Sequence, residues 1–195
     1  MRKTRRKKLY DYGAILLCIC LCACSTDYSP RPKGYPYFDL KPTPYYIFSK
    51  YENLQFEVSS KAKIEEERDS AGVKWFTLTY PEYNSSIFCT FFSADRKKIR
   101  TLAEESRRLA DFHGLKGSVE EMEYERPEDK VYARVFLLGG GSASPVQFAA
   151  TDSARCFLRG ALYFSSGTNS DSIAPIKEYI YQDIRVLIET IKWKQ

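Results

Sequence analysis

Histidine is almost missing from this chain, with a single residue, His113, in 195. That shortage leaves a transition-metal site without its commonest ligand and a proton relay without its commonest member. Six cysteines are present, but Cys18, Cys20, Cys22 and Cys24 crowd the N-terminus, leaving Cys89 and Cys156 far apart in the body. No zinc-ligand spacing results, and we expect neither metal nor cofactor. Long apolar runs are absent too: the longest, Gly13 to Ala23, covers about half of the ~20 residues that a spanning helix needs. Glycine-rich loops reduce to Gly139-Gly140-Gly141-Ser142, which lacks the closing Gly of a nucleophile elbow and the following Lys-Ser/Thr of a phosphate loop. The glycines supply positive φ, so this stretch reads as a hairpin connection.

What is present begins with an export signal. A basic run (Arg2, Lys3, Arg5, Arg6, Lys7, Lys8) precedes the short apolar stretch, as in the n- and h-regions of a secretory peptide. Leu21-Cys22-Ala23-Cys24 then resembles a lipobox, with Leu at −3, a small residue at −1, and the Cys whose thiol receives diacylglycerol. Cys20 and Cys22 fit less well, because the bulky Ile19 and Leu21 precede them. Lipid attachment is thus expected at Cys24, after a signal peptide over residues 1–23, and two glyceride chains plus an N-acyl chain suffice for stable anchoring. The formal charge of the whole chain is +5. The signal holds six of its 30 basic and one of its 25 acidic residues, so a mature chain starting at Cys24 is electrically balanced. Bulk attraction to nucleic acid has no basis.

Residues 24–44 hold five of the nine prolines (Pro30, Pro32, Pro36, Pro42, Pro44) among tyrosines, and read as a tether that either extends or packs along the domain. A single domain is expected over residues 45–195. Strand-like runs occur at Tyr45 to Phe48, Leu54 to Val58, Trp75 to Tyr80 and Ser86 to Phe92, most simply as a meander. From Lys97 to Phe112 apolar residues recur at helical spacing, with Asp95 or Ser93 as cap and Gly114 as terminator. Further strands are expected at Val119 to Glu125, Val131 to Leu138, Pro145 to Ala150 and Arg155 to Phe164. A closing helix has Ser172 or Asp171 as cap, Pro175 in its first turn, and Ile173, Ile176, Ile180, Ile184, Leu187, Ile188 and Ile191 on one face. The fold class is therefore α+β, one twisted antiparallel sheet with helices packed on it.

Residues able to do chemistry are few. His113 falls at a helix C-terminus, where the helix dipole alone would account for it. Glu65 to Glu67 and Glu120 to Glu125 read as solvated strand edges or loops, and Asp152, between Thr151 and Ser153, as a turn residue bonding to local backbone. No catalytic residue is expected. Cys89 and Cys156 would be permitted a bridge in an oxidising compartment, but spacing cannot test the geometry.

Several blocks together resemble the gliding-motility lipoprotein family GldD. They are Tyr28-Ser29-Pro30-Arg31-Pro32-Lys33-Gly34-Tyr35 and Phe38-Asp39-Leu40; Val146-Gln147-Phe148 and Thr151-Asp152-Ser153; and Phe157-Leu158-Arg159-Gly160-Ala161-Leu162-Tyr163-Phe164. Asp171-Ser172-Ile173-Ala174-Pro175, Asp183-Ile184, Leu187-Ile188-Glu189-Thr190 and Lys192-Trp193 complete the series, and His113 falls where that family commonly has a histidine. The chain departs from the family at Glu52-Asn53 and Lys74, where relatives carry a pair of cysteines, and at Lys33, where Arg is usual. The resemblance implies a non-enzymatic component of gliding motility and type IX secretion, whose partners are other envelope lipoproteins or outer-membrane components. Its strand and helix order is similar to a PsbP/Mog1-like sandwich. The resemblance also points to Arg31, Lys33, Tyr35, His113, Asp152 and Arg159 as candidate interaction residues. Ser25-Thr26-Asp27 lacks a dense acidic run of the surface-export kind, which favours the periplasmic face of the outer membrane.

Two competing functions stay open. Tyr35, Tyr37, Tyr45, Tyr46 and Trp75 could stack on sugar rings in a small-ligand or peptidoglycan-binding module. An envelope hydrolase would require acidic side chains to converge with His113 in one pocket.

Overall fold

Period-two alternation of apolar and polar residues produces most of the architecture, as seen in a computed structural model describing residues 40–70, 72–114, 117–165 and 170–194. Cys24, the expected site of lipid attachment, and the candidates Arg31, Lys33 and Tyr35 lie outside the described residues. The elements, in order, are β1 (Tyr45–Tyr51), β2 (Leu54–Ser59), β3 (Lys63–Ser70), β4 (Val73–Tyr80), β5 (Ser85–Ser93), α1 (Arg96–His113), β6 (Val119–Arg126), β7 (Val131–Leu138), β8 (Val146–Thr151), β9 (Cys156–Phe164) and α2 (Ser170–Thr190). Seven strands pair antiparallel in the order β3-β4-β5-β9-β8-β7-β6, and the fold is α+β.

The expectation of one sheet needs correction. β1 and β2 form a separate two-stranded ribbon joined through Glu52-Asn53. Its apolar side explains why: Phe48, Tyr51, Leu54, Phe56 and Val58 are buried, and the rings of Phe48 and Phe56 stack on Phe76 at 5.8 and 6.0 Å. Lying across the seven-stranded sheet, the ribbon removes far more apolar area from water than it would as two further strands at an edge.

α2 shares that inner face. Ile176, Ile180, Ile184, Leu187 and Ile188 are all buried, and Ile191, one residue beyond the helix, is fully enclosed. Each such side chain contributes about 1.5–3 kcal/mol relative to exposure. The chain after α2 continues against β2, with Gln55 N donating to Lys192 O at 3.0 Å and Lys192 N to Gln55 O at 2.8 Å. The cap expected at Ser172 or Asp171 is corrected, because the helix already includes Ser170, and Pro175 falls beyond the first turn. Asn169, Ser170, Asp171 and Ser172 are all good capping residue types, so cap chemistry could not choose among them.

α1 packs on the outer face. Of the two proposed caps, Asp95 serves: its Oδ1 accepts from Lys98 N at 2.8 Å. Gly114 terminates the helix with φ −83°, not in the left-handed region. A Cβ there would meet Val119 Cγ2 at 2.0 Å, so the close return of β6 demands glycine at this position. Gly140 and Gly141 do take positive φ, of 68° and 72°, in the β7–β8 connection.

The edge strands β3 and β6 carry the two glutamate clusters, which makes addition of a further strand unfavourable. Cys89 and Cys156 are both buried and free. Register puts Cys89 opposite Gly160 and Cys156 opposite Ser93, about 13 Å apart along the strands at ~3.3 Å per residue. That exceeds any disulfide span. Burial raises the Cys156 thiol to about 11 and the Cys89 thiol further, so both are inert packing residues.

Among the described residues, no helix is long and apolar enough to cross a membrane. Residues 40–44, at the domain end of the expected tether, are docked. Leu40 packs on the core, Pro44 O accepts from Ser60 N at 2.9 Å, and Lys41 O accepts from Tyr179 Oη at 3.2 Å.

Candidate functional site

The outer sheet face carries the chemistry, because strand register aligns its side chains in rows. One row runs Trp75, Thr90, Arg159, Ala149, Arg134, Glu123; the next runs Thr77, Phe88, Ala161, Gln147, Phe136, Glu121. α1 crosses these rows on a narrow stripe, Ile99, Leu102, Ser106 and Ala110, at intervals of three and four. Ile99 and Leu102 sit against Ala149 and Phe157, and Ala110 against Phe136 and Leu138. The stripe shrinks to a serine and an alanine toward its C-terminal end, and the helix leaves space there.

Two cavities meet at Ser106. The first, about 210 Å³, opens toward β6 and β7 and includes Glu123, Arg134 and Tyr132. The second, about 120 Å³, opens toward β8 and β9 and includes His113, Gln147, Arg159 and Tyr163. A further hollow of about 280 Å³ adjoins it, between His113, Tyr163 and the loop from Gly140 to Ser144.

Their electrostatics differ. In the first cavity Arg134 is neutralised, with Nη2 2.8 Å from Glu123 and Nε 3.4 Å from Glu121, and Glu121 also meets Arg107 of α1 at 3.6 Å. Among the described residues, the second cavity has no acidic side chain in its wall. Arg159, half-buried there, makes no ion pair or hydrogen bond among the described residues. Gln147 is only 8% exposed, and its Nε2 donates to His113 Nδ1 at 2.8 Å. The Ser106 hydroxyl is buried without a partner.

The fold thus brings together two residues proposed from sequence, His113 at the end of α1 and Arg159 within β9. The helix dipole is not the whole account of His113, whose ring is held by Gln147. Asp152 is elsewhere: its Oδ1 accepts from the backbone N–H groups of Ala154, Arg155 and Cys156 at 2.9, 2.7 and 2.8 Å, closing the β8–β9 hairpin as a turn residue. Glu123 and Glu125 line the first cavity, away from His113, so the convergence of acid and imidazole required by a hydrolase is not formed among the described residues. Trp75 lies on the outer face of the large sheet, whereas Tyr45 and Tyr46 belong to the ribbon. Tyr35 and Tyr37 lie outside the described residues.

Sequence reasoning missed Gln147 and Ser106 as members of the cavity. The available signal was one amide inside the apolar run Val146 to Ala150, and one hydroxyl on the apolar stripe of a helix.

It also missed a polar cluster under the ribbon. Asp183 of α2 is buried, and Tyr45 Oη donates to its Oδ1 at 2.5 Å. Burial raises the Asp183 carboxyl above the usual carboxylate range. The hydroxyls of Tyr45, Tyr80 and Ser59 and the Lys61 charge pull it partly back, yet Oδ2 completes no hydrogen bond. Beside it Lys61 Nζ donates to Tyr83 Oη at 2.6 Å and lies over the Tyr83 and Tyr179 rings. Thr43 Oγ1 is 2.9 Å from Ser59 Oγ and 3.3 Å from Tyr179 Oη. These contacts fasten residues 41–45 to β2 and α2, which makes the cluster a clamp on the chain's entry into the domain.

Comparison with protein families gives a match to gliding motility lipoprotein GldD over residues 25–193, and the chain belongs to that family. A comparison with curated proteins gives no match. The matched span covers the whole described domain, including both walls of the Arg159 cavity. It is a gliding-motility-associated lipoprotein family, in keeping with attachment to the cell envelope.

Proposed function

We propose that this protein is a non-enzymatic accessory or assembly component of the gliding-motility and type IX secretion machinery. In this reading the Cys24 lipid holds it at the periplasmic face of the outer membrane, and its domain contacts other envelope lipoproteins or outer-membrane components. Family membership supplies the setting. The observation that carries a contact role is a chain of exposed aromatics around the outer-face cavity. Phe88 is 50% exposed and packs edge-on to Tyr163; Tyr163 lines the cavity; and Phe112, 67% exposed, flanks His113 on its far side. Aromatics beside an arginine are the composition of interface hot spots.

Clean deletion is expected to abolish export of type IX substrates, and Cys24→Ala to move the domain from the membrane to the soluble fraction. Normal secretion in the deletion strain would remove the reading. A glycan-binding role rests on Trp75 and Tyr46, which lie on different sheets, while the hydroxyl of Tyr45, the neighbour of Tyr46, is already engaged by Asp183. Retention of the protein on peptidoglycan would favour that alternative.

A further inference from the structure

The two cavities that meet at Ser106 differ in one respect that bears on a ligand. Arg134 has two glutamates within 3.4 Å, and its charge is spent inside the protein. Arg159 occupies the same row of the same sheet face, two strands away, and has none among the described residues. A half-buried guanidinium without a counter-ion keeps its fork of N–H donors available for an anion.

Its surroundings are arranged for such a group. The buried Gln147 amide is held in place by His113, the Ser106 hydroxyl is buried and unpartnered, and Tyr163 adds a phenol on the cavity wall. The remaining wall is apolar, from Leu109, Phe136 and Ala161. One formal cation, neutral hydrogen-bonding groups and apolar walls match a monoanion with an apolar neighbour, and a volume of about 120 Å³ holds one such group. A dianionic phosphate would leave a charge unbalanced.

We propose that this cavity is a carboxylate-binding site, in which the Arg159 guanidinium takes the carboxylate oxygens and Gln147 and Ser106 supply neutral donors beside it. The ligand class is a carboxylic acid with an apolar group next to its carboxylate. The inference does not depend on the assembly role proposed above.

The test uses the full chain in detergent micelles, followed by NMR of the Gln147 side-chain amide and the Arg159 Nε–H. N-acetyl-leucine is titrated at constant ionic strength and compared with N-acetyl-leucine amide and inorganic phosphate. The acid should produce saturable shifts at both groups, whereas the uncharged amide should not. Arg159→Gln should weaken binding by about 10- to 100-fold, the equivalent of one charge-assisted hydrogen-bond pair of about 1.5–3 kcal/mol. Arg159→Lys should retain part of the affinity, because it keeps the charge and loses the fork. If Arg159→Gln fails to fold, the wild-type contrast between acid and amide, together with Arg159→Lys, still decides the matter. No saturable shift with the acid, equal binding of the amide, or preference for phosphate would each overturn the proposal.

Discussion

The two faces of the seven-stranded sheet are built from the same strands and do opposite things. On the inner face Phe76, Leu78, Ile87, Phe91, Leu158 and Leu162 are sealed beneath the ribbon and α2, with almost nothing exposed. On the outer face α1 rests on a narrow stripe, and Phe88, Trp75 and Phe112 stay in water. Their charged groups differ in the same sense. Asp183, under the ribbon, has hydroxyls and a lysine charge around it, whereas Arg159, on the outer face, has neutral polar neighbours but no opposite charge paired with it among the described residues. A face covered by two elements can be closed completely and then supplies stability, while a face crossed by one helix keeps surface and unspent charge for contact.

The largest effect that would sharpen this contrast is a paired truncation. Leu158→Ala on the inner face should cost about 2–5 kcal/mol, and Phe88→Ala on the outer face about 1 kcal/mol or less. Urea unfolding measures both, and equal losses would erase the distinction between the faces. Next comes Gly160, where an added Cβ would lie 2.4 Å from a Phe148 ring carbon. Gly160→Ala should destabilise by about 1–3 kcal/mol, and Phe148→Leu in the same chain should relieve part of that loss. Strict additivity in this double-mutant cycle would contradict the packing account.

A pH series probes the inner face's charge. The Asp183 carboxyl titrates higher in the folded chain than in the unfolded one, so its contribution is most favourable below the unfolded value and is lost as pH rises through the folded value. The stability of Asp183→Asn relative to wild type should therefore climb as pH rises from about 4, the ordinary carboxylate value. A flat or falling difference in unfolding free energy would show that the hydroxyls outweigh burial. The smallest change is expected at the exposed Arg107–Glu121 pair linking α1 to β6. Arg107→Ala should cost less than about 1 kcal/mol, an effect that shrinks further in high salt.

Alternation and helical spacing made most elements legible from the residues: β7 runs from Val131 to Leu138 as expected, and the isoleucines at 176, 180 and 184 do face the core. Strand β3 was read only as a charged edge or loop, because Glu65 to Glu67 break the apolar alternation that an edge strand does not require. Lys74, where the family resemblance leads one to expect a cysteine, has its ammonium 5.3 Å from the Tyr51 ring centroid. A cation–π contact thus occupies the region where the family resemblance implies a disulfide. That substitution was visible in the sequence, but its counterpart across the ribbon was not.

By itself the sequence determined what depends on local order: most of the segments that become strands or helices, that Asp152 closes a turn, that α1 begins just after Ser93 or Asp95, and that the family's ordered blocks are present. Only the tertiary structure decided that β1 and β2 leave the sheet to cover it, that Arg134 finds glutamates while Arg159 does not, and that His113 meets Gln147. Those outcomes depend on which rows of side chains the strand register aligns and on where a helix with a tapering apolar stripe comes to rest. Both are properties of residues distant in the chain, and no local pattern encodes them.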